Sequence, residues 1–263
     1  MVLVSYLLVG AVAGLTAGLF GVGGGLIIVP ALIYSFTLLD FPVATLTQLA
    51  IGTSLATIVF TSISSVRAHH LYGNVDWPLF WKLAPAIAVG VVLGVHTAAG
   101  MAGKLLQILF GGFALLIALQ MGLNFRPPPG RIVPGRVGLS IAGSVIGYVS
   151  ALFGIGGGSL TVPYLSWSNV RMQKAVGVSA ACGLPIALVG FATNIWAGWG
   201  RDGLPAYSTG FVYWPAFIGI VFTSTLFARV GARLAQRLPE RYLKRVFAVF
   251  LGIIGLQFIL GNL

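Results

Sequence analysis

The sequence predicts an all-α polytopic membrane protein built from two inverted-topology repeats. Three observations support this prediction: long apolar segments without charge, a glycine-rich stretch that occurs twice, and basic residues confined to a few loops. In each repeat we expect a glycine-rich pair of broken or re-entrant helices and then three transmembrane helices. The repeats are predicted at 1–125 and 132–263, joined by a proline-rich cytoplasmic linker at 126–131.

The composition is that of a chain surrounded by lipid. Hydrophobic residues make up 58% of the 263 residues and charged residues 7%, whereas a soluble domain carries about 25% charged residues. The mean hydropathy is +1.00. Windows such as Leu83–Val95 and Leu105–Leu123 contain no charge, and with their flanks they are long enough to cross a hydrocarbon layer of about 30 Å. The single cysteine, Cys182, excludes an intrachain disulfide and any multi-cysteine metal site.

Ten helical segments are predicted, five in each repeat. The second segment of each repeat is short for a membrane span and contains a proline, Pro30 or Pro163, which favours a half-helix. The linker has three consecutive prolines, so it cannot continue a helix. The predicted segments are 2–20, 24–37, 45–67, 79–98 and 105–123, then 136–153, 157–168, 172–197, 209–231 and 243–261.

The distribution of basic residues distinguishes an inverted from a parallel arrangement of the repeats. With an odd number of crossings per repeat, all 15 lysines and arginines except Lys104 and Arg201 fall on one side. A parallel arrangement divides them far more evenly. The positive-inside rule therefore favours inversion and predicts that both termini are extracytoplasmic. Because loop anchors account for the net charge of +11, we expect no nucleic-acid partner.

The repeated stretch is a glycine cluster followed by Val-Pro. Phe20–Pro30 and Phe153–Pro163 contain it, and positions 12–32 and 145–165 agree at 11 of 21 places. A dinucleotide-binding fingerprint is a poor interpretation, since it needs a preceding strand and a downstream acid, and the second copy has no such acid. Two interpretations remain open: close helix packing, and a ligand site where half-helix N-termini present backbone N–H groups to an anion.

The few polar and acidic residues favour an anion or a neutral solute. Asp40, Asp76, Asp202 and Glu240 are the only acids, and all lie in or beside predicted loops, so a bound cation would lack a counter-charge. Neither Gly-x-Ser-x-Gly nor His-Glu-x-x-His occurs, which argues against an intramembrane hydrolase and a bound metal. Interhelical hydrogen bonding is the alternative role for the polar residues within the spans. Those residues include Gln48, Ser54, Ser159, Thr161, Gln173 and Ser179.

The duplicated Gly-[Val/Ile]-Gly-Gly-Gly with Val-Pro, together with two Gln-x-Ala-[Ile/Val]-Gly-x-Ser segments, resembles the TauE/SafE family of sulfite and organosulfonate exporters across the whole chain. The resemblance implies a multi-pass protein of the plasma (inner) membrane that moves sulfur-containing anions such as sulfite or sulfoacetate. Leu26 and Ile28 in the first copy correspond to Ser159 and Thr161 in the second. The second copy is therefore more polar, and we expect the substrate to bind closer to it.

We therefore expect a secondary carrier or facilitator that exports a small sulfur-containing anion by alternating access, without a cofactor. The alternatives are an anion channel on the same scaffold and a non-transporting accessory membrane subunit. A homo-oligomer is compatible with the sequence. The predicted substrate-binding residues are Gly21, Gly23, Gly24, Gly25, Gln48, Ser54, Gly154, Gly156, Gly157, Gly158, Ser159, Thr161, Gln173 and Ser179.

Overall fold

The computed structural model describes residues 2–20, 24–123, 134–235 and 240–263. Helices in these ranges follow the ten predicted segments in order, with ends that differ by a few residues, and the predicted linker lies outside the ranges. The helices are α1 (Val2–Phe20), α2 (Gly25–Leu38), α3 (Val43–Leu71), α4 (Trp77–Gly100), α5 (Gly103–Gly122), α6 (Arg136–Phe153), α7 (Gly158–Trp167), α8 (Met172–Ala197), α9 (Trp214–Ala235) and α10 (Glu240–Leu260).

The lengths of the helices are those of a multi-pass membrane protein. Within the described ranges, α3, α4, α5, α6 and α8 are long and apolar enough to cross a membrane. In contrast, α2 and α7 have 14 and 10 residues. At 1.5 Å per residue they extend about 21 and 15 Å, less than the roughly 30 Å of a hydrocarbon core. The prediction of two short helices after the glycine clusters is therefore confirmed.

The packing of helices between the two halves is reciprocal. The first helix of each half packs along the fourth helix of the other, so α1 contacts α9 and α6 contacts α4. Glycines allow both approaches: Gly14 lies against the backbone of Ser224, and Gly147 lies against the backbone of Ile87. The two contacts correspond in sequence: Gly14 aligns with Gly147 at an offset of 133, and Ile87 aligns with Ser224 at an offset of 137.

The corresponding helices α3 and α8 pack against each other in the antiparallel sense. Leu55 lies against Gly190, whereas Ser62, further along α3, lies against Gly183, which is earlier in α8. The corresponding helices α5 and α10 are antiparallel as well, since the start of α5 meets the end of α10. Each helix of these pairs therefore runs in the direction opposite to its counterpart.

The two ends of the helix bundle differ in charge. At one end the turn before α4 meets the start of α8, where Asp76 Oδ2 lies 3.9 Å from Lys174 Nζ. At the other end the start of α3 meets the α4–α5 junction, where Gln48 Nε2 donates to the carbonyl of Met101 at 2.8 Å. Among the described side chains, the first end carries Arg67, Lys82, Arg136, Arg171, Lys174 and Arg245, and the second carries Lys104 and Arg201.

A short β-hairpin corrects the prediction that α9 begins near residue 209. Strands β1 (Ser208–Thr209) and β2 (Val212–Tyr213) pair antiparallel, and α9 begins only at Trp214. The hairpin is held by partners from distant helices: the amide of Phe211 donates to the carbonyl of Asn194, and the amide of Tyr213 donates to Thr53 Oγ1, at 3.1 and 3.0 Å. Because these partners satisfy the strand backbone, a non-helical segment is tolerated inside the bundle.

Asp76 stabilises the first turn of α4. Its Oδ1 accepts a hydrogen bond from the amide of Leu79 at 3.1 Å. We expect Asp76→Ala to lower the free energy of unfolding by about 1 kcal/mol, the usual cost of losing an N-cap. The ion pair with Lys174 adds little, because both side chains are partly exposed. Chemical denaturation in detergent tests this, with the exposed Asp202→Ala as the control that leaves stability unchanged; equal losses in both variants would contradict the capping role.

Candidate functional site

The second glycine cluster separates α6 from α7. Gly154 ends α6 in the left-handed region, with φ of +65°, and α7 starts at Gly158. In the first cluster Gly24 precedes α2 with φ of +77°. Both conformations favour glycine, because any Cβ is strained there. Gly21 and Gly23 lie outside the described residues, so the first break is described only from Gly24 onward.

The two glycine clusters touch each other inside the bundle. A Cβ placed on Gly25 would lie 2.5 Å from the carbonyl oxygen of Gly154 and 2.7 Å from Cα of Ile155, so only a glycine allows the clusters to meet this closely. Ser54 of α3 fixes the contact, since its Oγ donates to the carbonyl of Gly154 at 2.7 Å. Residues 130 positions apart in sequence thus form one junction, and the hydroxyl of Ser54 is already used in it.

The N-terminus of α7 presents backbone amides that no described backbone carbonyl accepts. The amides of Leu160 and Thr161 donate to the carbonyl of Gly157, at 3.3 and 2.8 Å. Within the described part of the chain, no backbone carbonyl accepts from the amides of Gly156, Gly157, Gly158 or Ser159. Unpaired N–H groups and the positive end of the helix dipole favour a negative charge at this position.

Three residues at or near the N-terminus of α7 have buried hydroxyl groups without a hydrogen-bond partner in the described part of the chain. Ser159, Thr161 and Ser179 are 7%, 0% and 1% exposed, and none of their oxygens has a hydrogen-bond partner among the described residues. Thr161 Oγ1 and the carbonyl oxygen of Ser179 each lie 3.3 Å from the position that a Cβ would take on Gly157. An unpaired buried hydroxyl costs about 1–3 kcal/mol, so three on neighbouring segments indicate a place where a polar ligand or water binds.

The structure does not bring Gln48 and Gln173 to this cluster. Gln48 is buried at the start of α3 and donates to Met101 at the α4–α5 junction. Gln173 is exposed in the first turn of α8, at the opposite, basic end of the bundle. Although Gln48 and Gln173 correspond in the aligned sequences, they therefore lie at opposite ends of the molecule. Neither is close to Ser159, Thr161 and Ser179.

The contacts of Gln48 predict a structural role that can be measured. We expect Gln48→Leu to lower the free energy of unfolding by about 1–3 kcal/mol, because it leaves carbonyl groups at the α4–α5 junction without their donor. Gln173→Leu, at an exposed position, should leave stability unchanged. Denaturation of the purified variants provides the comparison. Normal stability of Gln48→Leu combined with loss of anion flux would contradict the structural role and indicate a substrate contact.

The site contains donors and no acids. Asp40, Asp76 and Asp202 lie in turns between helices, and Glu240 is the first residue of α10. No group of three His, Cys, Asp or Glu side chains that could hold a metal occurs among the described residues. The cluster of N–H and hydroxyl groups at α7 can thus donate to a ligand but offers no carboxylate to a cation.

The sequence alone did not identify three positions next to this site. Gly183 of α8 lies beside both Ser62 of α3 and the amide of Gly157, and Ser150, in the last turn of α6, has a buried hydroxyl without a described partner. Comparison of the repeats could have pointed to Gly183, since the residue that corresponds to it in the first repeat is the much larger Ile58. Nothing in the sequence distinguished Ser62 or Ser150 from other serines in spans.

The long apolar helices of the described chain are those of a multi-pass membrane protein. The family described as sulfite exporter TauE/SafE matches residues 6–258. A probable membrane transporter protein of Haemophilus influenzae is 38% identical over 97% of both chains. Another probable membrane transporter protein, YunE of Bacillus subtilis, is 27% identical over 98% of both. No solved structure matches. The chain belongs to the TauE/SafE family of membrane transporters.

Proposed function

We propose that this protein is a secondary carrier or facilitator that exports a small sulfur-containing anion, such as sulfite or sulfoacetate, across the plasma membrane. The observation that carries the proposal is the group of unpaired donors at the N-terminus of α7. Ser159, Thr161 and Ser179, whose buried hydroxyls have no described partner, lie there with amides that donate to no described backbone carbonyl. The choice of a sulfur-containing anion as the substrate rests on the description of the family as sulfite exporters.

The chemistry of the donors favours an oxyanion over other solutes. Hydroxyl and amide groups donate to negatively charged oxygens in bonds worth about 1.5–3 kcal/mol each. A cation bound here would face the positive end of α7 without a carboxylate. A sulfite or sulfonate group has three oxygens in a compact pyramid, which suits several donors arranged around one helix end.

The arrangement of the helices supports alternating access between two inverted repeats, each with a broken helix pair and three further spans. Corresponding helices run antiparallel, and the first helix of each half packs on the fourth of the other. The glycine clusters meet at the junction of the halves, where Ser54 of the first contacts Gly154 of the second. Rocking of one repeat against the other changes the surroundings of α7 and opens its N-terminus to each side in turn.

The charge of the two ends supports an orientation and a direction. The end with Arg67, Lys82, Arg136, Arg171 and Lys174 is the cytoplasmic end by the positive-inside rule, so both termini are extracytoplasmic. With a negative cytosol, export of an anion is electrically favourable by about 2.3 kcal/mol per charge per 100 mV. Export driven by this potential therefore needs no coupled ion.

Flux from proteoliposomes that contain the purified protein tests the proposal. Vesicles are loaded with sulfite, sulfoacetate, taurine, sulfate or chloride, and a potassium gradient with valinomycin sets the membrane potential. We expect saturable, potential-sensitive efflux of sulfite or sulfoacetate that protein-free vesicles lack. Equal conductance of chloride would support a channel, and absence of any flux would support an accessory subunit; either result overturns the carrier.

A further inference from the structure

The two halves differ at the residue that faces each glycine cluster. Position 58 in α3 and position 183 in α8 correspond at the offset of 125 that aligns these helices. Ile58 is fully buried, and its Cδ1 lies 3.1 Å from the position of a Cβ on Gly25. The counterpart, Gly183, has no side chain to place against the second cluster.

The absence of a side chain at Gly183 leaves a position between two hydrogen-bond donors. A Cβ on Gly183 would lie 3.0 Å from Ser62 Oγ and 4.0 Å from the amide nitrogen of Gly157. An anion oxygen packed against Gly183, on the side where a Cβ would project, lies between a hydroxyl from the first half and a backbone amide from the second half. Any side chain at residue 183 projects into the same space and excludes the oxygen.

The first glycine cluster has apolar side chains where the second has hydroxyl groups. Leu26 and Ile28 are each 1% exposed and stand where the second cluster has Ser159 and Thr161. Together with Ile58 they surround the N-terminus of α2 with hydrocarbon. A charged ligand there would lose its hydration and gain no side-chain hydrogen bond from these three residues, so its binding is unfavourable.

We propose that each chain binds one anion, at the second glycine cluster only, and that Gly183 and Ser62 are specificity-determining residues of that site. The inference rests on the proposed anion transport. It adds the number of anions bound per chain and the roles of Gly183 and Ser62 in binding. Ser62 joins the donors of α7 from the other half of the molecule, so relative movement of the halves alters the coordination of the anion. Ile58 keeps the symmetry-related position closed.

Binding of sulfite to the purified protein in nanodiscs, followed by isothermal titration calorimetry, tests this inference. We expect one sulfite per chain in the wild type. Ser62→Ala should raise the Kd at least about tenfold, the effect of one lost hydrogen bond to a charged oxygen. Gly183→Ala should raise it about a hundredfold or more, because the added methyl group projects into the space between Ser62 and Gly157 where the ligand oxygen binds.

Matched controls separate these effects from damage to the fold. Gly190→Ala is on the same helix, and the three atoms nearest to the added methyl group belong to the side chain of Leu55. Ser65→Ala is one turn beyond Ser62 in α3. Both variants should keep the wild-type Kd. Ile28→Val in the first cluster should also keep it. Two sulfites per chain, or unchanged Kd in Ser62→Ala and Gly183→Ala, would overturn the single-site inference while transport stands. Absence of both sulfite binding and flux would overturn the proposed function as well.

Discussion

We expect the double variant Thr161→Val with Ser179→Ala to lose at least about a hundredfold in sulfite efflux while folding normally. Each hydroxyl donates to a charged oxygen in the proposed complex, which is worth about 1.5–3 kcal/mol, and every 1.4 kcal/mol is a factor of ten. In the absence of a ligand neither hydroxyl has a described partner. Stability should therefore remain equal or rise, because two unpaired polar groups leave the interior.

The matched control for this variant is Thr97→Val with Ser140→Ala. On helices of the same bundle, Ser140 is exposed and Thr97 is partly exposed, and the described hydrogen bond of the Thr97 hydroxyl stays within its own helix. Efflux of the control should equal that of the wild type in the same proteoliposome assay. Undiminished efflux of the Thr161→Val with Ser179→Ala variant would show that these hydroxyls do not bind the anion during transport.

The largest effect on stability is expected for Gly111→Leu in α5. A Cβ on Gly111 would lie 2.7 Å from the carbonyl oxygen of Gly255 and 3.0 Å from Cγ1 of Ile259, so a leucine forces α5 and α10 apart. We expect the free energy of unfolding to fall by about 3 kcal/mol and the Tm by about 6–12 °C. Thermal unfolding of the purified protein in detergent measures the change.

The neighbouring residue provides an internal control. Gly112 has nothing within 4 Å of its Cβ position, so Gly112→Leu adds a side chain without displacing a helix. Both substitutions improve helix propensity to the same degree, about 0.8–1 kcal/mol, and their difference isolates the α5–α10 contact. Equal Tm values for the two variants would contradict the close approach of these helices.

Most of the helix positions were predictable because lipid imposes a simple rule on sequence. A segment in hydrocarbon must be apolar and helical, so charge-free windows and glycine clusters predicted all ten helices of the described chain. The hairpin before α9 was not predictable, since its backbone bonds to Asn194 and Thr53 from other helices. Such partners exist only after the helices have packed.

The candidate site was predictable in its residue types and less so in its geometry. Alignment of the repeats identified Ser159, Thr161 and Ser179, which remain predicted ligands and lie together at α7. The same alignment paired Gln48 with Gln173, yet the structure places these two residues at opposite ends of the bundle. Sequence symmetry alone does not reveal which pairs of corresponding residues lie close together in the middle of the bundle. In α3 and α8, only the pairs near the crossing of the two helices do so.

Counterflow in proteoliposomes tests the central claim of a sulfur-anion carrier most directly. Vesicles that contain the wild-type protein are loaded with unlabelled sulfite and diluted into a trace of radiolabelled sulfite, with sulfoacetate examined in the same way. A carrier predicts that label accumulates transiently above its equilibrium level for at least one of these anions, because internal substrate returns the site to the outside. Equilibration without an overshoot in both cases would contradict the carrier.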